Sequence, residues 1–203
     1  QRKENNILLR HVSYSSVANE DDPIYKSVQN NNFEPVVYSF KIEANNEDTT
    51  GVVVDVTSLY TSDVALISGL SDFQRRNFQV RRLDGSRSFV EKMSSYPENI
   101  EVRHVLTYDA GNPPDNGSTN TISLEMNQSM ILLPAEPAQP RNWDQRVGYF
   151  SIGQYDYSSE EHKAATNRFI TRYKLVPKDK EAYLRGELVE PEEQIVYYLD
   201  PAT

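Results

Sequence analysis

TISLEMNQSMILLP, Thr121–Pro134, is the stretch whose reading decides the fold. In an extended chain Ile122, Leu124, Met126, Met130 and Leu132 share one face, with Gln128 among them. Ser123, Glu125, Asn127 and Ser129 share the other, because successive side chains of a strand point to opposite sides. The period of two predicts a long strand with one face in a core and one in water. The same alternation recurs just upstream in IEVRHVLTY (Val102, His104, Leu106, Tyr108), and further back in VVYSFKIE (Val36, Tyr38, Phe40, Ile42) and GVVVDVTSL (Val52, Val54, Val56). ILLRHVSYS near the start, RVGYFSIGQYDY and RFITRYKLV are further candidates.

Between the two strongest strands, YDAGNPPDNGSTN (Tyr108–Asn120) holds Gly, Pro-Pro and Asn-Gly and reads as an exposed hairpin loop. About eight strands with polar turns between them predict a mainly β fold, an antiparallel sheet or sandwich with two or three short helices, with α+β as the alternative. Ser71 with Gln74 and Ser158 with Glu161 have capping-box spacing, so short helices are expected from Asp72 and from Ser159. A third fits KDKEAYLRG, stopped by Gly186. Pro134, Pro137 and Pro140 recur every third residue and predict a stiff, polyproline-like connector.

A chain of 203 residues can bury a core without staples, and it has no cysteine. Thiol catalysis, Cys-ligated zinc and iron–sulfur chemistry are therefore excluded. The net charge of −9, with 30 acidic and 21 basic residues and no basic block, argues against a nucleic-acid partner. No stretch approaches the roughly 18 apolar residues of a membrane span. Thirteen Tyr, many Asn, Ser and Thr, and few Lys suit an exported or surface protein.

Signals of catalysis are few. The sequence has only His11, His104 and His162, none spaced as a His-Glu-x-x-His helix requires. His11 and His104 fall at matching places in LRHVSY and VRHVLTY, which raises a shared metal site, though a hydrogen-bonded structural role is the simpler reading. There is no Gly-x-Ser-x-Gly elbow, no Walker loop and no Gly-x-Gly-x-x-Gly. Adjacent carboxylates such as Asp21 with Asp22, Glu160 with Glu161 and Glu192 with Glu193 read as solvated surface charge. The Asp- and Asn-rich loops ANEDD and NNEDTTG lack EF-hand spacing. Asn116 and Asn127 fit the glycosylation acceptor pattern, which is short enough to arise by chance. The best candidate contact surface is Trp143, Asp144, Arg146, Tyr149, Tyr155 and Tyr157, with Phe150. Its plainer reading is the core and edge of a sheet.

Three stretches combine into something more specific. DQRVGYF holds Asp144, Arg146, Val147, Gly148, Tyr149 and Phe150. RFITRYKL holds Arg168, Phe169, Ile170, Arg172, Tyr173 and Leu175. QIVYYLDPAT closes the chain. In this order they resemble the domain of unknown function that precedes the catalytic domain in large secreted zinc-dependent metallopeptidases (zincin type) of Gram-negative bacteria. Gln194 stands where that family usually has Pro, and Leu199 where it has Ile. The stretches NFEPVVYSFKIEA, GVVVDVT and YPENIEVRHVLTY extend the resemblance over nearly the whole chain.

The resemblance implies an accessory domain over residues 1–177, a charged linker with a short helix over 178–193, and over 194–203 the first strand of a metallopeptidase domain. It implies no catalytic, metal-binding or cofactor-binding residue in this chain, with zinc confined to the peptidase domain. The expected partner is that downstream domain, the expected location the periplasm or cell surface. The expected role is non-catalytic: packing on the peptidase or shaping access to it. An independent peptide- or glycan-binding surface module is the alternative.

Overall fold

A computed structural model of the chain describes residues 1–203 apart from 15, 49, 115–118, 160, 161, 198 and 200–203. The strands are β1 (Arg2–Lys3), β2 (Asn6–Arg10), β3 (Ser16–Val17), β4 (Val36–Asn45), β5 (Val52–Val54), β6 (Val80–Leu83), β7 (Phe89–Ser95), β8 (Asn99–Ala110), β9 (Thr121–Ile131), β10 (Ser151–Asp156) and β11 (Ala165–Ile170). The helices are short: α1 (Tyr25–Asn31), α2 (Thr57–Thr61), α3 (Asp72–Asn77) and α4 (Lys180–Leu184). The protein is mainly β, and all but one of its strand pairings among the described residues are antiparallel. The chain divides into two compact units, residues 1–13 with 29–135, and residues 14–28 with 136–203.

The first unit is organised by β8. On one edge it pairs with β9 along its whole length, with Tyr108 opposite Ile122, Leu106 opposite Leu124 and His104 opposite Met126. On the other edge β7 covers its first half and β6 its second. The alternation puts Val102, His104, Leu106, Tyr108 and Ala110 on one face, and all five are buried. Gln128 sits in the apolar stripe of β9 without penalty because its side-chain amide donates to the Ile67 carbonyl at 3.0 Å. A second sheet runs β1-β2-β4-β5. Phe40 of β4 joins Leu59 and Tyr60 of α2 and Val102 of β8 in one hydrophobic cluster, so the two sheets share a core. Leu70, Leu106 and Tyr108 form the neighbouring cluster.

Two expectations change here. The stretch Val52–Val56 does not continue as a strand: β5 ends at Val54 and α2 comes next. The Asp55 carboxylate accepts the Thr57 N–H at 2.9 Å, turning the chain, and burial of Leu59 and Tyr60 holds the helix. Leu132, expected on the buried face of β9, lies beyond the end of that strand and is exposed. The α3 helix begins as expected: the Ser71 hydroxyl accepts the Gln74 N–H at 3.2 Å and the Gln74 side chain accepts the Ser71 N–H at 2.9 Å. The helix expected from Ser159 overlaps Glu160 and Glu161, which lie outside the described residues.

The two echoing histidines occupy different environments. His11 is exposed and lies beyond the end of β2, whereas His104 is fully buried. Its Nδ1 donates to the Tyr60 carbonyl at 2.8 Å, and Nε2 is buried without a hydrogen-bond partner. Burial depresses its pKa below 6.5, partly offset by the Tyr60 hydrogen bond. The unfolded chain takes up a proton below about pH 6.5 while the folded unit resists it. Stability of the first unit is therefore expected to be full above that pH, and to fall as the pH drops from about 6.5 toward the lowered folded-state pKa. Urea unfolding at pH 7 and pH 5 checks this against His104→Gln. Equal losses in wild type and variant would count against His104 as the source.

The second unit holds a three-stranded sheet, β11-β10-β3. Its β10 and β11 are antiparallel with Ile152 opposite Phe169, and β3 runs parallel to β10 with Ser16 opposite Tyr155. The charged segment after Pro177 folds back on itself. Lys178 N–H donates to the Glu190 carbonyl at 2.9 Å and Glu192 N–H to the Val176 carbonyl at 2.8 Å. Inside that loop lies α4, started by Asp179, whose carboxylate accepts the Ala182 N–H at 2.9 Å. It is stopped by Gly186 at φ +86°, a left-handed backbone in which glycine pays no Cβ penalty. Gln194–Tyr197 belongs to no named strand, and the rest of that C-terminal segment, apart from Leu199, lies outside the described residues.

Candidate functional site

The stretch DQRVGYF folds as a tight turn ahead of β10. The Asp144 carboxylate accepts the Arg146 backbone N–H at 2.9 Å and its guanidinium through Nε at 2.9 Å and Nη2 at 2.6 Å. The guanidinium, then that N–H, hold the Asp144 carboxyl below its usual value. The pair is exposed, so its main effect is to shape the turn. The Asp144 carbonyl accepts the Val147 N–H at 3.1 Å, and Gly148 comes next at φ +73°. Trp143 then staples the two ends of the turn, its Nε1 donating to the Tyr149 carbonyl at 2.9 Å.

The stretch RFITRYKL is docked on that turn. The Trp143 N–H donates to the Arg168 carbonyl at 2.8 Å, and the Arg168 guanidinium lies 4.0 Å from the centroid of the Trp143 ring. Its Nη2 reaches the Ser151 hydroxyl at 3.0 Å. Ile170 N–H donates to the Arg141 carbonyl at 3.0 Å, and Thr171 donates to the Phe150 carbonyl through its N–H at 3.0 Å and its hydroxyl at 3.1 Å. These bonds tie the two arms of the turn, at Arg141 and Trp143 and at Phe150 and Ser151, to Arg168, Ile170 and Thr171.

Beside them opens a cleft of about 630 Å³ whose walls include Tyr149, Tyr173, Tyr183, Leu175, Arg141 and Arg172. The Arg172 guanidinium is oriented by the Gln139 carbonyl at 2.8 Å and by the Tyr173 carbonyl at 3.3 Å. The Tyr173 hydroxyl shares a hydrogen bond of 2.9 Å with that of Tyr197, and this raises the Tyr197 pKa above its ordinary value. Among the described residues no acidic side chain lines the cleft.

The six candidate residues therefore have separate positions. Trp143 and Tyr149 are joined, Asp144 and Arg146 pair with each other, and only Tyr149 of the six lines the cleft. Tyr149 lies in the turn segment ahead of β10, outside the strand that carries Tyr155. Tyr155 and Tyr157 lie at the other end of β10 beside β3, where the Tyr157 N–H donates to the Val17 carbonyl at 2.9 Å. Arg141, Tyr173 and Tyr183 complete the cleft from three different stretches, and no spacing in the sequence announces that they meet.

Among the described residues no three His, Asp or Glu side chains gather as metal ligands, and no helix is long and apolar enough to cross a membrane. In NNEDTTG the acceptors serve the turn itself: Asn46 Oδ1 takes the Gly51 N–H at 2.8 Å and Asp48 takes the Thr50 N–H at 3.1 Å. Asn127 is engaged too, donating to Glu101 at 2.9 Å. Asn116 lies outside the described residues.

A family model described as "Domain of unknown function (DUF5117)" matches residues 1–178. The chain belongs to the DUF5117 family. No curated protein and no solved structure matches it. The DUF5117 match takes in the whole of the first unit, with the β8–β9 pair, and the second unit as far as residue 178, including the turn and strand beside the cleft.

Proposed function

We propose that this DUF5117 chain is a non-catalytic accessory domain of an exported bacterial zinc-dependent metallopeptidase, packing on the peptidase domain or shaping access to it. The reading rests on the resemblance carried by DQRVGYF, RFITRYKL and QIVYYLDPAT in that order. One observation gives it physical support. The second unit leaves large apolar side chains outside the cleft uncovered, among them Phe150 (90% exposed), Leu184 (74%) and Ile152 (60%). Uncovered side chains of this size offer apolar surface for a packed partner domain to bury.

The reading expects the purified chain to bind no zinc stoichiometrically and to cleave no peptide. It also expects the downstream coding sequence to specify a His-Glu-x-x-His helix. When the chain is joined to that sequence, hydrogen exchange should slow at Phe150 and Leu184 relative to the chain alone. A downstream sequence lacking the motif, or zinc-dependent cleavage by the chain by itself, would overturn the proposal.

A further inference from the structure

We infer that the cleft of the second unit receives an extended peptide segment that carries one carboxylate between apolar side chains. Arg141 and Arg172 both line the cleft, and among the described residues neither has a carboxylate partner. The Arg172 guanidinium is already oriented by the Gln139 and Tyr173 carbonyls, so little side-chain freedom remains to be lost on binding. A planar fork of N–H donors suits a carboxylate, which it can hold through two parallel hydrogen bonds.

The rest of the cleft sets what flanks that carboxylate. Tyr149, Tyr173 and Tyr183 offer broad apolar rings with a polar tip, and Leu175 adds aliphatic wall. About 630 Å³ is the size of a site for several side chains rather than for one small anion. A polyphosphate or nucleic acid would meet the repulsion of the strongly acidic chain. Peptide binding here is independent of the metallopeptidase reading: a free peptide tests the one, and the downstream coding sequence tests the other.

The probe is an array of terminally blocked octapeptides with a central Glu, or Gln in its place, flanked by Leu, Val, Tyr and Pro in permuted order. Hits are titrated against the full chain by calorimetry and by the fluorescence of Trp143, the single tryptophan, which is bonded to the cleft residue Tyr149. Glu peptides are expected to saturate, with binding weakened about tenfold or more by Glu→Gln in the peptide or by Arg172→Gln in the protein. The two changes together should cost less than the sum of each alone, because they remove one contact. Arg141→Gln serves as the second variant, and circular dichroism confirms that each variant is folded. Equal affinity for Glu and Gln peptides would overturn the inference. So would failure of every peptide to saturate, or saturation by neutral oligosaccharides in place of peptides.

Discussion

Leu106→Ala is expected to destabilise the first unit by about 3 kcal/mol, the cost of removing a buried leucine and leaving a cavity that its neighbours fill only in part. Leu106 is 1% exposed and lies on β8, the strand to which β6, β7 and β9 all pair. It packs with Leu70 and Tyr108, and Leu124 and Met126 lean on the same cluster. With several elements meeting at one side chain, collapse into the gap would disturb the ladder on both edges of β8. Because the chain has two compact units, a single global unfolding energy is ill defined. Amide hydrogen exchange along β8 and β9 reads the first unit by itself. Exchange should quicken by roughly a hundredfold there, with Phe73→Ala, at an exposed position, changing little. A loss under about 1 kcal/mol would mean that the cluster is not packed as described.

Trp143→Ala is expected to loosen the second unit by about 2 kcal/mol, less than a fully buried aromatic would cost because the ring is only half covered. The substitution removes the hydrogen bond to the Tyr149 carbonyl and the surface on which the Arg168 guanidinium rests. A cation over an aromatic face contributes about 0.5–2 kcal/mol, and the hydrogen bond about 1 kcal/mol. Trp143→Phe keeps a ring under Arg168 and loses the N–H, so it should cost about half as much. The Ile170 and Thr171 amides, which donate to the Arg141 and Phe150 carbonyls, are the reporters. Their exchange should quicken while that of β8 and β9 stays unchanged. Unchanged exchange at Ile170 in Trp143→Ala would remove the tryptophan from its role as the staple of this turn.

The elements legible in the sequence are those whose cause is local. The alternation over Val102–Tyr108 and Ile122–Met130 specifies two half-buried strands, because a strand with one face in a core must repeat every second residue. Ser71 with Gln74 closes a capping box within four residues, and Gly186 ends α4 by adopting a left-handed backbone. The turn in DQRVGYF is local as well, built from Asp144, Arg146 and Gly148 within a few positions of one another. Where local preference meets a distant partner, the sequence is silent or misleading. Three valines in a row read as a strand through Val56, yet burial of Leu59 and Tyr60 against Phe40 and Val102 makes a helix of Thr57–Thr61. Ser16 and Val17 join a sheet only because β10, far away along the chain, offers an edge.

For the candidate site the division is the same. The sequence by itself determined a mainly β protein and singled out the stretch around Trp143, since repeat period, caps and turn residues act over a few positions. Only the tertiary structure decided that Trp143 serves to hold a turn under Arg168. It likewise brought Tyr149, Tyr173, Tyr183, Arg141 and Arg172 to the walls of one cleft. Such a cleft is a property of chain reversals that place distant side chains together, and no spacing along a single chain encodes which of them will meet.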